Sequence, residues 1–117
     1  MKQVSAIIKP FKMEDVKEAL YEAGFKHLTL VDVRGVGSTR GDSEIYRGST
    51  YTQPDFFAKA MLILLVPDGE EQRAVKIIAK AAKTGKMGDG IIWTTPVESA
   101  LHIRSDNGLE YRLNNFD

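Results

Sequence analysis

Two glycine-rich segments of this 117-residue chain have the composition of phosphate-binding loops. The first runs from Gly35 to Gly41, and the second runs from Thr84 to Gly90 and includes Lys86. Glycines allow positive φ angles and let backbone N–H groups approach a phosphate closely. Neither segment is a dinucleotide fingerprint or a Walker A loop, because the required glycine and hydroxyl positions and the following helix are missing. The structural alternatives are a flexible loop base for the first segment and a helix cap with a turn for the second.

Other kinds of active site find little support. The chain contains no cysteine, which excludes disulfides, thiolate-bound zinc, iron-sulfur clusters and thiol nucleophiles. Its two histidines, His27 and His102, belong to no Ser-His-Asp pattern and do not lie one helical turn apart. Asp42 with Glu44 is an ordinary solvated pair. We therefore expect no catalytic residue, no metal site and no enzyme.

Nucleic-acid binding is a second possibility that the composition disfavours. Sixteen acidic and sixteen basic residues give a net charge of zero, so no basic footprint attracts a phosphate backbone. The apolar stretch from Ala60 to Leu64 has no aromatic ring on which a base could stack, as an RNA-recognition sheet requires. We expect no nucleic-acid partner.

Aromatic residues gather between the two glycine-rich segments, around Arg47. They are Tyr46, Tyr51, Phe56 and Phe57. Arginine flanked by tyrosines is typical of protein-protein hot spots, and the alternative is packing of the loop against its own domain. The hydroxyls of Ser49 and Tyr51 could accept a phosphate-type modification that would add charge to the loop.

The first half of the chain predicts a strand, a helix and a strand. Val4, Ala6 and Ile8 alternate with polar residues up to Pro10, as in a short strand. From Lys12 the apolar residues recur at helical spacing, and Gly24 supplies a C-terminal stop. The alternation returns from His27 to Gly35.

The second half repeats this order. The range 56–66 predicts a central strand covered on both faces, which in so small a domain implies a partner. Asp68 is expected to cap the next helix and Gly85 to close it, and the range 91–95 predicts the fourth strand, ended by Pro96. Two strand-helix-strand units predict the α+β, ferredoxin-like βαββαβ fold.

The length and composition predict one domain over residues 1–117. With 43% apolar and 27% charged residues, the chain fits a globular protein. A long polar loop, about residues 37–55, separates the halves, and loops of this length are usually functional or disordered. A polar tail covers residues 105–117. The first ten residues lack a long apolar core and a cleavage site, so we expect a cytoplasmic protein.

Three segments, read in order, resemble the P-II nitrogen-regulatory signal proteins. The first runs from Ala6 to Lys12 and continues through the helix to Gly24. The second includes Gly35-Val36-Gly37, Arg40-Gly41 and the range 44–51. The third runs from Ala81 to Gly90 and is followed by Pro96-Val97-Glu98 and Ile103-Arg104. The similarity covers roughly residues 1–104.

The resemblance implies a homotrimer with adenine-nucleotide sites between neighbouring subunits. The phosphates would lie against backbone of the two glycine-rich segments, with Ile7 and Leu65 near the base. The backbone residues are Gly35, Gly37, Ser38, Gly88, Asp89 and Gly90. Thr29 and Arg104 would come from the neighbouring subunit.

The same resemblance makes the loop an effector arm that responds to ATP, ADP and 2-oxoglutarate. Its docking residue would be Arg47, and its partner an ammonium-type membrane transporter or a metabolic enzyme. Tyr51 and Ser49 match residues that are uridylylated or phosphorylated in some relatives. Lys59 aligns, within one residue, with the lysine that contacts 2-oxoglutarate or the γ-phosphate region.

Three departures from the family pattern affect the ligands. Thr39 replaces a glutamine that helps to hold magnesium with ATP and 2-oxoglutarate, which leaves the binding of Mg²⁺ and 2-oxoglutarate open. Ile91 and His102 replace a phosphate-binding lysine and arginine. Each charge-assisted contact contributes about 1.5–3 kcal/mol, so we expect ADP or AMP to bind as readily as ATP.

Two alternative functions agree with the same sequence features. A regulator of carbon or bicarbonate transport that senses ADP or AMP would have the same pattern of glycines and the same arm. A small nucleotide hydrolase would need a general base near the glycine-rich segments, for which the sequence offers no candidate beyond Asp89.

Overall fold

The computed structural model describes residues 1–37 and 55–104. Its elements alternate as predicted: β1 (Lys2–Ile8), a 3₁₀ turn (Pro10–Lys12), α1 (Met13–Glu22), β2 (Thr29–Gly37), β3 (Asp55–Val66), α2 (Glu71–Ala82) and β4 (Gly90–Pro96). The strands form one antiparallel sheet in the order β2-β3-β1-β4. This is the strand order of the ferredoxin-like fold, so the predicted α+β class is confirmed.

Both helices pack on one face of the sheet because each presents one apolar stripe. Val16 and Leu20 of α1 and Ala74 and Ile78 of α2 are fully buried. They pack against the alternate strand residues that lie on the helix-covered face of the sheet. Those are Val4, Ala6, Ile8, Leu62, Leu64 and Val66. The spacing of apolar residues that predicts the helices and strands therefore also places these residues in the core.

The opposite face of the sheet is apolar but carries no helix in the described part of the chain. The register places Val31 beside Met61, Met61 beside Ile7, and Ile7 beside Ile91 in one row across all four strands. The side chain of Ile91 is 60% exposed and that of Val31 is 42% exposed. Such a row leaves apolar surface in water within one chain, which is the surface for which the sequence predicted a partner.

The end of α1 confirms the predicted glycine stop. Gly24 has a φ of 98°, and its N–H donates to the Tyr21 carbonyl at 3.0 Å. The Phe25 N–H reaches back to the Leu20 carbonyl at 2.9 Å, which completes a Schellman cap.

Both predicted caps of α2 are wrong. The N-cap residue is Glu70, and the Asp68 carboxylate instead accepts from the α-amino group of Met1 at 2.7 Å. Asp68 lies two residues too early, and the Glu71 carboxylate turns back to the Gly69 N–H at 2.7 Å. At the other end α2 stops at Ala82 with an extended Lys83, so Gly85 belongs to the following loop.

Candidate functional site

The segment between α2 and β4, residues 83–90, forms a loop whose shape depends on glycine at two positions. Gly88 has a φ of 89° and Gly90 a φ of 109°. A Cβ atom on Gly90 would lie 1.8 Å from the Ile7 carbonyl oxygen, so no side chain fits there. Positive φ angles on either side of Asp89 make the backbone turn sharply, as in the concave N–H clusters that bind anions.

The Asp89 side chain turns inward and closes the loop on itself. Its Oδ2 accepts from the N–H groups of Thr84 and Gly85, each at 2.9 Å. Its Oδ1 accepts from the Thr84 hydroxyl. The same hydroxyl oxygen accepts from the Lys86 N–H at 3.1 Å. A single carboxylate thus joins the start of the loop to its end.

Two lysines connect the loop to the sheet. Lys9, the residue after β1, lies 3.2 Å from Asp89 Oδ1 and donates to the Thr84 hydroxyl oxygen at 3.0 Å. Lys59, on β3, donates to the carbonyl oxygen of Gly88. The Thr84 hydroxyl, the Thr84 and Gly85 N–H groups and the Lys9 ammonium lower the pKa of the Asp89 carboxyl far below its ordinary value.

Gly35 and Gly37 lie near the same end of the sheet as this loop. A Cβ atom on Gly35 would lie 3.6 Å from Lys59 Cγ, and one on Gly37 would lie 3.9 Å from the Phe57 ring. The two glycine-rich segments do not lie at the same edge of the sheet. β2 and β4 are opposite edge strands, so the two segments share an end of the sheet, and Lys59 spans the gap between them.

Thr29 and Leu65 lie at the other end of the sheet. Both line a cavity of about 890 Å³ between the α1–β2 connection and the start of α2, together with Gln3, Lys26 and Arg73. Arg73 is held there by the Glu70 carboxylate at 2.8 Å and by the Ala23 carbonyl at 2.9 Å, and its guanidinium stacks on the Phe25 ring.

The two ends are too far apart to contact one small ligand within a single chain. Thr29 and Gly35 are six residues apart on β2, which corresponds to about 20 Å at the rise of a strand. Ile7 lies on the open face at the loop end of β1, opposite Met61 and Ile91, and so does not lie beside Leu65, which pairs with Gln3. The structure thus separates the expected site residues into two groups.

The remaining expected residues take three kinds of position. Ile91 begins β4 on the open face, one residue beyond the loop. His102 is half-buried and Arg104 is exposed in the segment after β4, and both make interactions there. Ser38, Thr39, Arg47, Ser49 and Tyr51 lie outside the described residues, as does the tail 105–117.

Two features of this site were not predicted from the sequence. The sequence patterns do not indicate that the side chains of Lys9 and Thr84 meet, yet both bind Asp89. A threonine five residues before an aspartate in a short loop is a local signal that could have predicted their pairing. Within residues 1–37 and 55–104, no cluster of three or more metal-ligating side chains occurs, and no helix is long and apolar enough to cross a membrane.

Comparison with known proteins gives one consistent result. The family model for "Nitrogen regulatory protein P-II" matches residues 1–107. A nitrogen regulatory protein P-II of Azospirillum brasilense is 45% identical over 105 residues, which cover 90% of this chain and 93% of that protein. Proteins of the same name from Rhodobacter capsulatus and Haemophilus influenzae are 45% and 43% identical over the same length. The chain therefore belongs to the P-II family of nitrogen regulatory proteins, which are signalling proteins and not enzymes.

Proposed function

We propose that this P-II protein is a homotrimeric signal-transduction protein of nitrogen metabolism that binds an adenine nucleotide between subunits. The bound nucleotide sets the conformation of the segment between Gly37 and Asp55. That segment then regulates a membrane transporter, of the ammonium type, or a metabolic enzyme. The proposed setting is the cytoplasm, and the whole of residues 1–117 acts as one domain.

The observation that carries the nucleotide proposal is the loop 83–90. Its glycines turn the backbone sharply, its only carboxylate points inward, and Lys59 adds a positive charge at Gly88. This combination of backbone curvature and a neighbouring cation favours a phosphate group. We place the phosphates against the backbone of this loop and of Gly35, Gly37 and Ser38.

The separation of the site residues supports sharing between subunits. The residues that we propose to contact the phosphates lie about 20 Å along β2 from the cavity lined by Thr29 and Leu65. A nucleotide bound at the loop can contact those residues only if a neighbouring subunit supplies them. The open apolar row of Val31, Met61 and Ile7 is the surface through which subunits would pack. Arg104 would also come from the neighbour.

The nucleotide proposed is ADP or AMP as readily as ATP. Ile91 stands beside the loop with an uncharged and 60% exposed side chain, where it can neutralise no phosphate. Lys59 contacts the loop backbone and Lys9 is already paired with Asp89, so we expect a third phosphate to add little to the binding. Lys59 is also the proposed contact for 2-oxoglutarate, whose binding we do not otherwise assign.

The output of the protein is proposed to depend on Arg47 as the docking residue, with Ser49 and Tyr51 as candidate modification sites. We expect Arg47→Ala to abolish capture of the target while nucleotide affinity and trimer formation stay unchanged. Loss of the trimer, measured by analytical ultracentrifugation, would instead give Arg47 a structural role.

The ligand is tested by isothermal titration calorimetry with AMP, ADP and ATP, each with and without magnesium. We expect dissociation constants for the three nucleotides within about tenfold of one another. ATP with magnesium binding much more tightly than ADP and AMP would contradict this ligand proposal. An absence of binding by all three would contradict the nucleotide site itself.

Sharing between subunits is tested by complementation. Gly88→Ala alters the loop, and Thr29→Trp fills the cavity, so each homotrimer should bind no nucleotide. Mixed trimers, obtained by coexpression of both chains with different tags, would contain some sites built from one intact loop and one intact cavity. Random assortment predicts roughly one quarter of the wild-type number of sites. No recovery in mixed trimers would place both halves of the site in the same subunit.

The hydrolase alternative loses its one candidate base. Both oxygens of Asp89 are engaged by the loop and by Lys9, and its pKa is lowered, so the carboxylate is a weak proton acceptor. The alternative in carbon or bicarbonate transport gains no support either, since the relatives found are named for nitrogen regulation.

A further inference from the structure

We propose that Lys9, Thr84 and Asp89 form an internal brace that positions the loop backbone for phosphate, and that none of the three side chains contacts the ligand. This proposal rests on the nucleotide site proposed above, and it assigns the cause of the loop's shape. Asp89 is then a positioning residue rather than a ligand of phosphate or metal.

The hydrogen-bonding capacity of Thr84 is fully used inside the brace. A hydroxyl has one hydrogen to donate and two lone pairs to accept with. The hydrogen goes to Asp89 Oδ1. The lone pairs accept from Lys9 Nζ at 3.0 Å and from the Lys86 N–H at 3.1 Å. No capacity remains for a ligand.

The Asp89 carboxylate is similarly engaged on both oxygens. Oδ2 takes two backbone N–H donors, and Oδ1 takes the Thr84 hydroxyl together with the Lys9 ammonium. The side chains of Lys9 and Asp89 are only 18% and 27% exposed. A carboxylate with four close donors, one of them the Lys9 ammonium, does not need a metal ion, and moving it toward one would leave these donors without their acceptor.

Lys9 makes the brace a connection between the loop and the sheet. It follows the last residue of β1, whose neighbour β4 begins where the loop ends. Gly90, at the start of β4, lies directly against the Ile7 carbonyl. The loop is therefore held at its first residues by Asp89 and Lys9, and at its last residue by backbone contact with β1.

This arrangement lowers the ordering cost of phosphate binding. A loop already closed by Asp89 loses little conformational freedom when a ligand contacts its backbone. The effect should appear only for ligands that carry phosphate.

The test compares Thr84→Val with Thr84→Ser. Valine has nearly the shape of threonine but lacks the hydroxyl, whereas serine keeps it. We expect Thr84→Val to weaken ADP binding by at least about tenfold, and Thr84→Ser to restore it to within about threefold of the wild type. Adenosine, which lacks phosphate, should bind all three proteins equally. Calorimetry gives these affinities, and circular dichroism with ultracentrifugation checks folding and assembly.

A second measurement requires no nucleotide. Hydrogen exchange of the backbone amides of residues 84–90 should be faster in Thr84→Val and in Lys9→Met than in the wild type and in Thr84→Ser. Unchanged exchange in both variants would overturn the brace whatever the protein binds. If the variants show the expected exchange pattern but the wild-type protein binds no adenine nucleotide, the proposed function is overturned and the brace stands. Equal ADP affinity of Thr84→Val and the wild type would remove the assigned role in binding.

Discussion

Substitution of Gly90 by alanine tests the close approach of this glycine to the Ile7 carbonyl. The Cβ of alanine would lie 1.8 Å from the Ile7 carbonyl oxygen, whereas real Cβ contacts essentially never fall below 3.0 Å. The two atoms must therefore separate by at least 1.2 Å, the difference of these two distances. The oxygen belongs to the backbone of β1 and the Cβ is bonded directly to the backbone of β4, so neither can turn away as the end of a flexible side chain would.

The expected loss of stability has three parts. A non-glycine residue at a φ of 109° costs about 1–3 kcal/mol. Steric strain from an added methyl group costs about 1–3 kcal/mol, and a disturbed ladder hydrogen bond between β1 and β4 costs about 0.5–1.5 kcal/mol. Together these terms predict a loss of about 2.5–7.5 kcal/mol. A small domain has about 5–15 kcal/mol in total, so the variant should be poorly folded.

Gly85→Ala is the matched control. Gly85 also has a positive φ, of 81°, but no atom lies within 4 Å of the position that its Cβ would take. Only the backbone strain remains, so the expected loss is about 1–3 kcal/mol. Urea denaturation followed by circular dichroism measures both variants at one protomer concentration, because assembly makes the midpoint depend on concentration.

Equal losses in Gly85→Ala and Gly90→Ala would refute the reasoning, since the clash would then contribute nothing. Hydrogen exchange provides an independent check. In Gly90→Ala the amides near the Ile8–Gly90 pair should exchange faster, while those of the β1–β3 ladder at Lys2 and Val66 should keep their protection.

Three further predictions concern other parts of the chain. The pKa of Asp89 is lowered on folding, so its contribution to stability is present above its ordinary pKa of about 3.9 and is lost as the pH falls below it; Asp89→Asn should flatten this acid dependence in urea titrations between about pH 2 and 5. Leu20→Ala should cost about 2–5 kcal/mol in thermal or urea unfolding, and its neighbour Tyr21→Ala, 58% exposed, about 0.5 kcal/mol; similar values would contradict the orientation of α1. Lys59→Met should cost less than about 1.5 kcal/mol of stability but speed amide exchange at Gly88, and unchanged exchange would exclude their hydrogen bond as a support of the loop.

The elements of the fold could be predicted because burial imposes a period on the sequence. Val4, Ala6 and Ile8 alternate because β1 is covered by helices on one face only, and Val16 and Leu20 are spaced by one helical turn because α1 has a single neighbouring surface. The exact ends were harder to predict. β2 continues to Gly37, and α2 begins at Glu71, because ladder pairing and local carboxylate bonds decide the ends of elements.

The site was predicted in part for a similar physical reason. Glycines that are required by backbone geometry can be recognised locally, and Gly90 is one of them. The contact between Lys9 and Asp89 joins residues 80 positions apart, and that between Lys59 and Gly88 joins residues 29 apart. No period in the sequence indicates such contacts, because they depend on how β1 and β3 align beside each other at one end of the sheet.

Lys59 connects the loop 83–90 to β3, the strand that begins at the end of the proposed effector arm. Gly37 and Asp55 pair with each other at the end of the β2–β3 ladder, so both ends of the segment 38–54 are anchored at one point. Lys59 lies four residues from Asp55 on β3, where it pairs with Val33, and its ammonium holds the Gly88 carbonyl. A ligand that displaces this ammonium changes the support of the ladder close to the anchor. Under the proposed function, the segment between Gly37 and Asp55 would then respond to the loop through contacts within one subunit, while a neighbouring subunit would complete the proposed ligand site.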